Sequence, residues 1–306
     1  MVRILDFDGS LIRQKNLLGR HRPSVVGLAD LGPAARLWAG KKTAAAIQGR
    51  LDPAAKHAIT FLGSGDFHHV SSLLLRQFEE PLTLIVFDFH PDWDILPPRL
   101  GCGSWVSRAL EQPNVSKVLL LGPSSDDLAS PAIHTGNLQA LKNRRLEVYP
   151  YAHAPTRVMF RSVPANPSIT LRHRGPATDI VWTPLRGKRL QPFTEEVLQR
   201  CGAKKAYVSI DKDCLRAAHA LTNWEEGCLG LDELLLMLRV IRENMEIVGL
   251  DIAGEYSVPV LAARFKSLCS RLDHPAAFSA AAKPEARIDS VNEQTNLELL
   301  NLLRGR

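Results

Sequence analysis

The chain has 306 residues, 45% hydrophobic and 23% charged, which is the balance of an ordinary folded protein and leaves ample length for a core. No stretch approaches the roughly 20 uninterrupted apolar residues of a membrane span, and the opening MVRILDFDGS puts acids where a secretion signal needs an apolar core, so no membrane partner is expected and the expected location is the cytoplasm. The net charge of +6 is mild and scattered, and runs such as KNRR (142–145) and LRGKRL (185–190) carry no interleaved aromatics, which excludes a nucleic-acid partner.

Short apolar runs rich in β-formers predict strands at 2–7, 57–62, 83–88, 117–121, 145–149, 178–182, 205–211 and 247–252. Between them, helical periodicity predicts helices near 28–49, 70–79, 103–112, 194–201, 231–244 and 257–272. The Pro- and Arg-rich segment 152–192 reads as long loops, and a capped apolar stripe predicts a final helix at about 289–304. Near-continuous apolar strands alternating with helices require a mainly parallel sheet covered on both faces. The expectation is therefore an α/β fold, a three-layer α/β/α arrangement, formed by residues 1–306 as a single domain. Cys102, Cys201, Cys214, Cys228 and Cys269 are odd in number and include no Cys-x-x-Cys pair, which fits reduced thiols.

In such a sheet ligands bind beyond the carboxyl ends of the strands, and that is where the acids and histidines fall. One strand ends VFDFHPDWD, with Asp88, His90 and Asp92 at alternate positions, which share one side of an extended chain. Another ends SIDKDC, giving Asp211 and Asp213, and a third ends GSGDFHH, placing His68 and His69 at a helix start. Carboxylates and imidazoles gathered at one sheet edge repel one another and lose solvation unless a cation lies among them. Oxygen donors mixed with imidazole, without thiolate, suit manganese better than zinc or iron. Four carboxylates exceed the need of one divalent ion, whereas a pair about 3.5–4 Å apart balances them and lowers the pKa of a shared water. The chemistry implied is metal-assisted hydrolysis.

VFDFHPDWD resembles the Asp-x-His-x-Asp motif of the ureohydrolase superfamily of arginases, agmatinases and formiminoglutamases. SIDKDCL is similar to its Ser-x-Asp-x-Asp motif, GSGDFHH to its Gly-Gly-Asp-His, and VGLDIAGEYS to the late strand that ends in its glutamate. The resemblance implies an arginase-like fold, two Mn(2+) per chain, a small-molecule substrate and a possible homo-oligomer. It implies metal ligation by His68, Asp88, His90, Asp92, Asp211 and Asp213, with Asp88 and Asp211 bridging. Because the chain reads Asp66-Phe67-His68-His69, one residue longer than the pattern, His69 is the fallback ligand. Asp92 and Glu255 are the implied catalytic residues, Glu255 near the substrate although it lies one position later than the family's glutamate.

Two departures concern the substrate. The loop after Asp92 has no histidine where arginases carry a proton shuttle, and CLRAAHALTNWEEGCLGL replaces the usual segment after Asp213. Cys102, Ser104, Trp105, Trp224 and Glu225 are candidates for an altered pocket. The implied activity is hydrolysis of a non-peptide C–N bond in an amidine, guanidino or amide compound by metal-activated hydroxide. The alternative is a non-catalytic, metal-binding or regulatory arginase-like protein. A third reading comes from the opening: ILDFDGSLI looks like the nucleophile loop of haloacid-dehalogenase-type phosphatases, with Asp6 and Asp8 as the acids. It leaves DFHPD and SIDKD without a role, and Gly9 with Asp8 reads more simply as a tight turn after a strand.

Overall fold

The computed structural model describes residues 1–98, 100–159, 165–263, 266–268 and 284–305. Its strands are β1 (Val2–Asp6), β2 (Ser24–Gly27), β3 (Ile59–Ser64), β4 (Leu82–Phe87), β5 (Val115–Gly122) and β6 (Leu146–Pro150), followed by β7 (Thr156–Met159), β8 (Ile169–Arg174), β9 (Ala177–Trp182), β10 (Lys205–Asp211) and β11 (Glu246–Glu255). Eight of them form one sheet in the order β2-β1-β3-β11-β10-β4-β5-β6, and every pairing in it is parallel.

The strands are apolar on both sides because both sides are covered. In β4, Leu82, Leu84 and Val86 join one buried cluster while Ile85 and Phe87 join the other. β5 divides in the same way, with Val118 and Leu120 on one side and Leu119 and Leu121 on the other. The first layer is closed by helices Lys41–Arg50, Trp105–Leu110 and Leu138–Lys142, through residues such as Ile47, Val106 and Leu141. The second is closed by Leu190–Gln199, Leu231–Asn244 and the C-terminal helix Glu285–Arg304, through Val197, Leu238 and Leu300. Each such side chain taken fully out of water contributes roughly 1.5–3 kcal/mol before chain entropy is set against it. This is the three-layer α/β/α arrangement with a parallel central sheet.

Several elements differ from the expectations. The strand at 178–182 is not in the parallel sheet; as β9 it is the middle of an antiparallel sheet β7-β9-β8 lying in the segment read as loops. β8 and β9 are joined by Gly175-Pro176, and Gly175 has φ +60, the left-handed conformation that a two-residue hairpin turn requires. The polar, Arg-rich outer faces of β7 and β8 hid those two strands from an apolar-run criterion. β2 escaped because it is an edge strand of only four residues, with largely exposed side chains. The helix expected at 28–49 is broken into Gly32–Ala35 and Lys41–Arg50, with Leu37 between them at φ +67. The helix expected at 70–79 is a four-residue helix, Ser71–Leu74, flanked by 3-10 turns. Of the one expected at 257–272, residues 257–263 are not helical and 266–268 are; the remainder, with Cys269, lies outside the described residues. Among the described residues no helix is long and apolar enough to cross a membrane.

Candidate metal centre

The four central strands, β3, β11, β10 and β4, bring their carboxyl ends together. β3 leads into a 3-10 turn, Gly65–Val70, whose first free N–H, that of Asp66, donates to Ser64 Oγ. That turn carries His68, fully buried, toward β4 and β10. After β4 the chain does not stay extended. Asp88 Oδ1 accepts the His90 N–H at 2.8 Å, and Asp92 takes a left-handed φ of +48. Asp88, His90 and Asp92 therefore converge through a tight turn; of non-glycine residues, Asn and Asp accept this conformation most readily. After β10, Asp211 Oδ1 accepts the Asp213 N–H at 3.1 Å, and Asp213 Oδ1 accepts the Phe89 N–H at 3.1 Å, tying the turns after β4 and β10 to each other.

The result is two overlapping groups. His68, Asp88 and Asp92 place one donor atom each within 4.8 Å of one another, and Asp88, His90 and Asp213 do the same. Asp88 is common to both. Asp211 joins the first, its Oδ2 3.5 Å from His68 Nδ1. His68 Nδ1 lies 3.0 Å from Asp88 Oδ2, yet neither atom has a hydrogen bond of acceptable geometry, and both are buried. A buried imidazole nitrogen and a buried carboxylate oxygen at this distance, each without a well-formed hydrogen bond, fit a cation held between them.

Electrostatics agrees. Burial, followed by the charges of Asp92 and Asp213, holds the Asp88 carboxyl well above the usual carboxylate range. Burial and the Asp213 charge push Asp211 up to about 7. Burial depresses the His68 imidazolium, but the contacts with Asp88 and Asp92 outweigh it and leave that group well above its ordinary value. Protein charge alone thus leaves the cluster holding protons, which divalent ions would displace.

A second layer orients the donors. His68 Nε2 lies 2.8 Å from Ser209 Oγ, which donates to Asp251 Oδ1 at 2.7 Å; Ser71 and Tyr207 donate to the same carboxylate. Trp105 Nε1 donates to Asp92 Oδ2 at 2.7 Å, and its ring packs 4.7 Å from that of His68. His90 presents Nδ1 to Asp213 at 3.1 Å and Nε2 to Glu225 at 3.2 Å. A histidine held at its outer nitrogen by a carboxylate or hydroxyl has its inner nitrogen fixed for ligation.

The remaining expected residues divide. His69, the fallback, is buried outside both groups; burial, then Lys266 and His68, lower its pKa to about 3, so it is neutral. A cavity of about 220 Å³ opens over the cluster, and Cys102 and Trp224 line it, as do Asp94 and Asp127, which the sequence reading did not single out. Asp94 follows Asp92 by two residues, and Asp127 sits in the Ser-Ser-Asp-Asp loop after β5. Ser104 does not line this cavity: its hydroxyl donates to Pro98 O at 2.5 Å and accepts the Gly101 N–H. Trp105 is beneath the cluster, fully buried, and not in the cavity wall. Glu255 is also outside it. Its carboxylate is 3% exposed and accepts from Lys212 Nζ, Gln14 Nε2 and Asn296 Nδ2, so it is unavailable to a substrate in the cavity. The extra residue before Glu255 and the lysine between the two aspartates are the signals in the sequence that this strand end is built differently.

Asp6 and Asp8 serve the framework. Asp6 accepts the Gly9 N–H, while Asp8 accepts from Ser10, Ser64 and Ser257 and stands 3.6 Å from Arg36, which also pairs with Asp66. Asp8 therefore ties β1 to the end of β3 and to the segment after β11, and Asp6 braces the turn at Gly9.

No family model matches the chain. An uncharacterised protein of Thermotoga maritima is 28% identical over 197 residues, 64% of this chain, and the chain spans 58% of that protein's length. Among solved structures, an arginase from Bacillus subtilis aligns over 100% of this chain and 98% of its own at 13% identity, with a TM-score of 0.56. An arginase from Bacillus caldovelox aligns over 90% of this chain and 97% of its own at 16% identity, with a TM-score of 0.53. At these identities the likeness is one of fold: the chain has the arginase fold.

Proposed function

We propose that the chain is a divergent ureohydrolase: a binuclear manganese hydrolase that cleaves a non-peptide C–N bond in a small amidine, guanidino or amide compound, working as a single domain in the cytoplasm. The observation that carries this reading is Asp88, shared by two groups of candidate ligands, with its buried Oδ2 3.0 Å from the buried His68 Nδ1. His68, Asp88, Asp92 and Asp211 would hold one ion, and His90, Asp88, Asp211 and Asp213 the other. Two such ions, when bound, supply a water-derived nucleophile at neutral pH and Lewis-acid polarisation of the carbon under attack.

The chain's own residues do the rest. Ser209 and Asp251 hold His68 in the tautomer with a free Nδ1, Trp105 fixes the Asp92 carboxylate, and Glu225 fixes His90. Two divalent ions would neutralise Asp88, Asp92, Asp211 and Asp213. Asp94 and Asp127 then remain as net negative charge in the cavity wall, which favours a substrate with a positive charge. The non-catalytic alternative draws on one observation, the engagement of Glu255 by Lys212, which removes the glutamate that the resemblance assigns to substrate.

Elemental analysis of the purified protein tests the reading, with an Asp88→Ala, Asp211→Ala double variant as control. About two manganese per chain, lost in the double variant, is the expected result, followed by ammonia or urea release from a panel of guanidino and amide compounds. Failure to take up any transition metal after manganese loading refutes the hydrolase; full occupancy with no turnover across the panel selects the non-catalytic protein.

A further inference from the structure

Lys212 lies between the ligands Asp211 and Asp213 and is fully buried. Asp211 and Asp213 enter the metal cluster, whereas Lys212 Nζ reaches Glu255 and, at 3.0 Å, Asn296 Oδ1. Asn296 in turn donates to Glu255 Oε1 at 2.7 Å and to Gln14 Oε1 at 2.9 Å, and Gln14 Nε2 donates to Glu255 Oε2 at 2.9 Å. Lys212, Glu255, Asn296 and Gln14 are each 3% exposed or less. This is a closed, charge-neutral network linking the turn after β10, the end of β11, the segment before helix Lys15–His21, and the C-terminal helix.

The network bears directly on the ligands. A Cβ at Gly254, next to Glu255, would lie 2.5 Å from Asp211 Oδ1 and 2.6 Å from the Lys212 N, so the end of β11 rests on the backbone that carries the ligands. Anything that holds Lys212 and Glu255 together therefore holds the Asp211–Asp213 turn in place. The C-terminal helix supplies the third member through Asn296. Its other anchors are outside the network: Glu293 accepts the Asn16 and Leu17 N–H groups, Asp289 pairs with Arg13, Asn292 exchanges two hydrogen bonds with the Leu221 backbone, and Thr295 donates to His219 O.

Resting on the two-metal reading, we propose that Lys212, Glu255 and Asn296 are positioning residues for the manganese site, through which docking of the C-terminal helix and metal binding reinforce one another. Lys212 also cancels the charge of Glu255, so this fifth carboxylate neither competes for an ion nor holds a cationic substrate group. Because coupling between two equilibria is reciprocal, loosening the helix at Asn296 must weaken metal binding, and metal must in turn hold the helix down.

Manganese titration of the full chain by calorimetry tests this, using wild type, Asn296→Ala and Glu293→Ala. Both substitutions loosen the same helix, but only the first breaks the network. Asn296→Ala is expected to weaken the manganese Kd by about tenfold, within the usual range of coupling between sites. Glu293→Ala is expected to lower Tm while leaving that Kd unchanged. Should Asn296→Ala not fold, amide hydrogen exchange of wild type gives the same answer: manganese is expected to slow exchange across residues 285–304 more than across helix Lys41–Arg50, which reports global stabilisation alone. A Kd that is equal in all three proteins, or exchange across 285–304 slowed no more than across Lys41–Arg50, overturns the proposal while sparing the metal site. Absence of manganese binding to wild type overturns both.

Discussion

At the residue scale, the adjacent histidines give the sharpest contrast. His68 faces three carboxylates, with Nδ1 at 3.0 to 3.6 Å from Asp88, Asp211 and Asp92; His69, its neighbour, faces none of them. Replacing His68 by Ala is therefore expected to drop the manganese content from about two to about one per chain, whereas His69→Leu keeps about two, both read by elemental analysis. Trp105 makes a finer test, since Trp105→Phe keeps an aromatic ring beside His68 but removes the hydrogen bond to Asp92. Loss of such an orienting contact typically costs 10- to 100-fold in metal affinity, and a shift of about that size in the manganese Kd is expected, with little change in Tm. The candidate ligands were legible because alternate acids at a strand end are a local pattern. The pairing of Lys212 with Glu255 was not, because it joins residues 43 positions apart, and the local oddity at each position does not show that the two meet.

At the element scale, β10 and β11 show why the strand ends must be so closely fitted. Tyr207 pairs with Gly249 and Asp211 with Ala253, and at the last step Gly254 takes φ +89 and packs against Asp211 and Lys212. Gly254→Ala would put a methyl group into the ligand turn and force a left-handed conformation on a residue that disfavours it. The expected result is a loss of about 1–3 kcal/mol from backbone strain alone, visible as a lower denaturant midpoint, together with weaker manganese binding. The parallel strands were legible because burial on both faces leaves runs such as LTLIVF almost wholly apolar. β7 and β8 were not: with polar outer faces and an Asp179 that pairs with both Arg157 and Arg174, they read as charged loop. Their pairing depends on a hairpin turn and on a partner strand, neither of which an apolar-run criterion registers.

At the scale of the whole molecule, the candidate ligands come from three strand ends, those of β3, β4 and β10, which are brought together only in the folded sheet, in the order β3-β11-β10-β4. An unfolded chain cannot present His68, Asp88 and Asp211 together, so an ion that binds the cluster binds the native state alone. Its binding free energy then adds to stability as RT ln(1 + [L]/Kd), about 2.7 kcal/mol when free manganese stands at 100 times Kd. For 306 residues the unfolding entropy is roughly 0.6 kcal/mol per degree, from about 2.1 cal/mol/K per residue. Each site filled to that degree should therefore raise Tm by about 4 °C. Calorimetric scans with manganese and with excess chelator check this, the rise reversing on chelation. The Asp88→Ala, Asp211→Ala variant should melt at one temperature in both conditions. A manganese-induced rise that persists in that variant would place the ion elsewhere on the protein, since both ligand groups have lost Asp88.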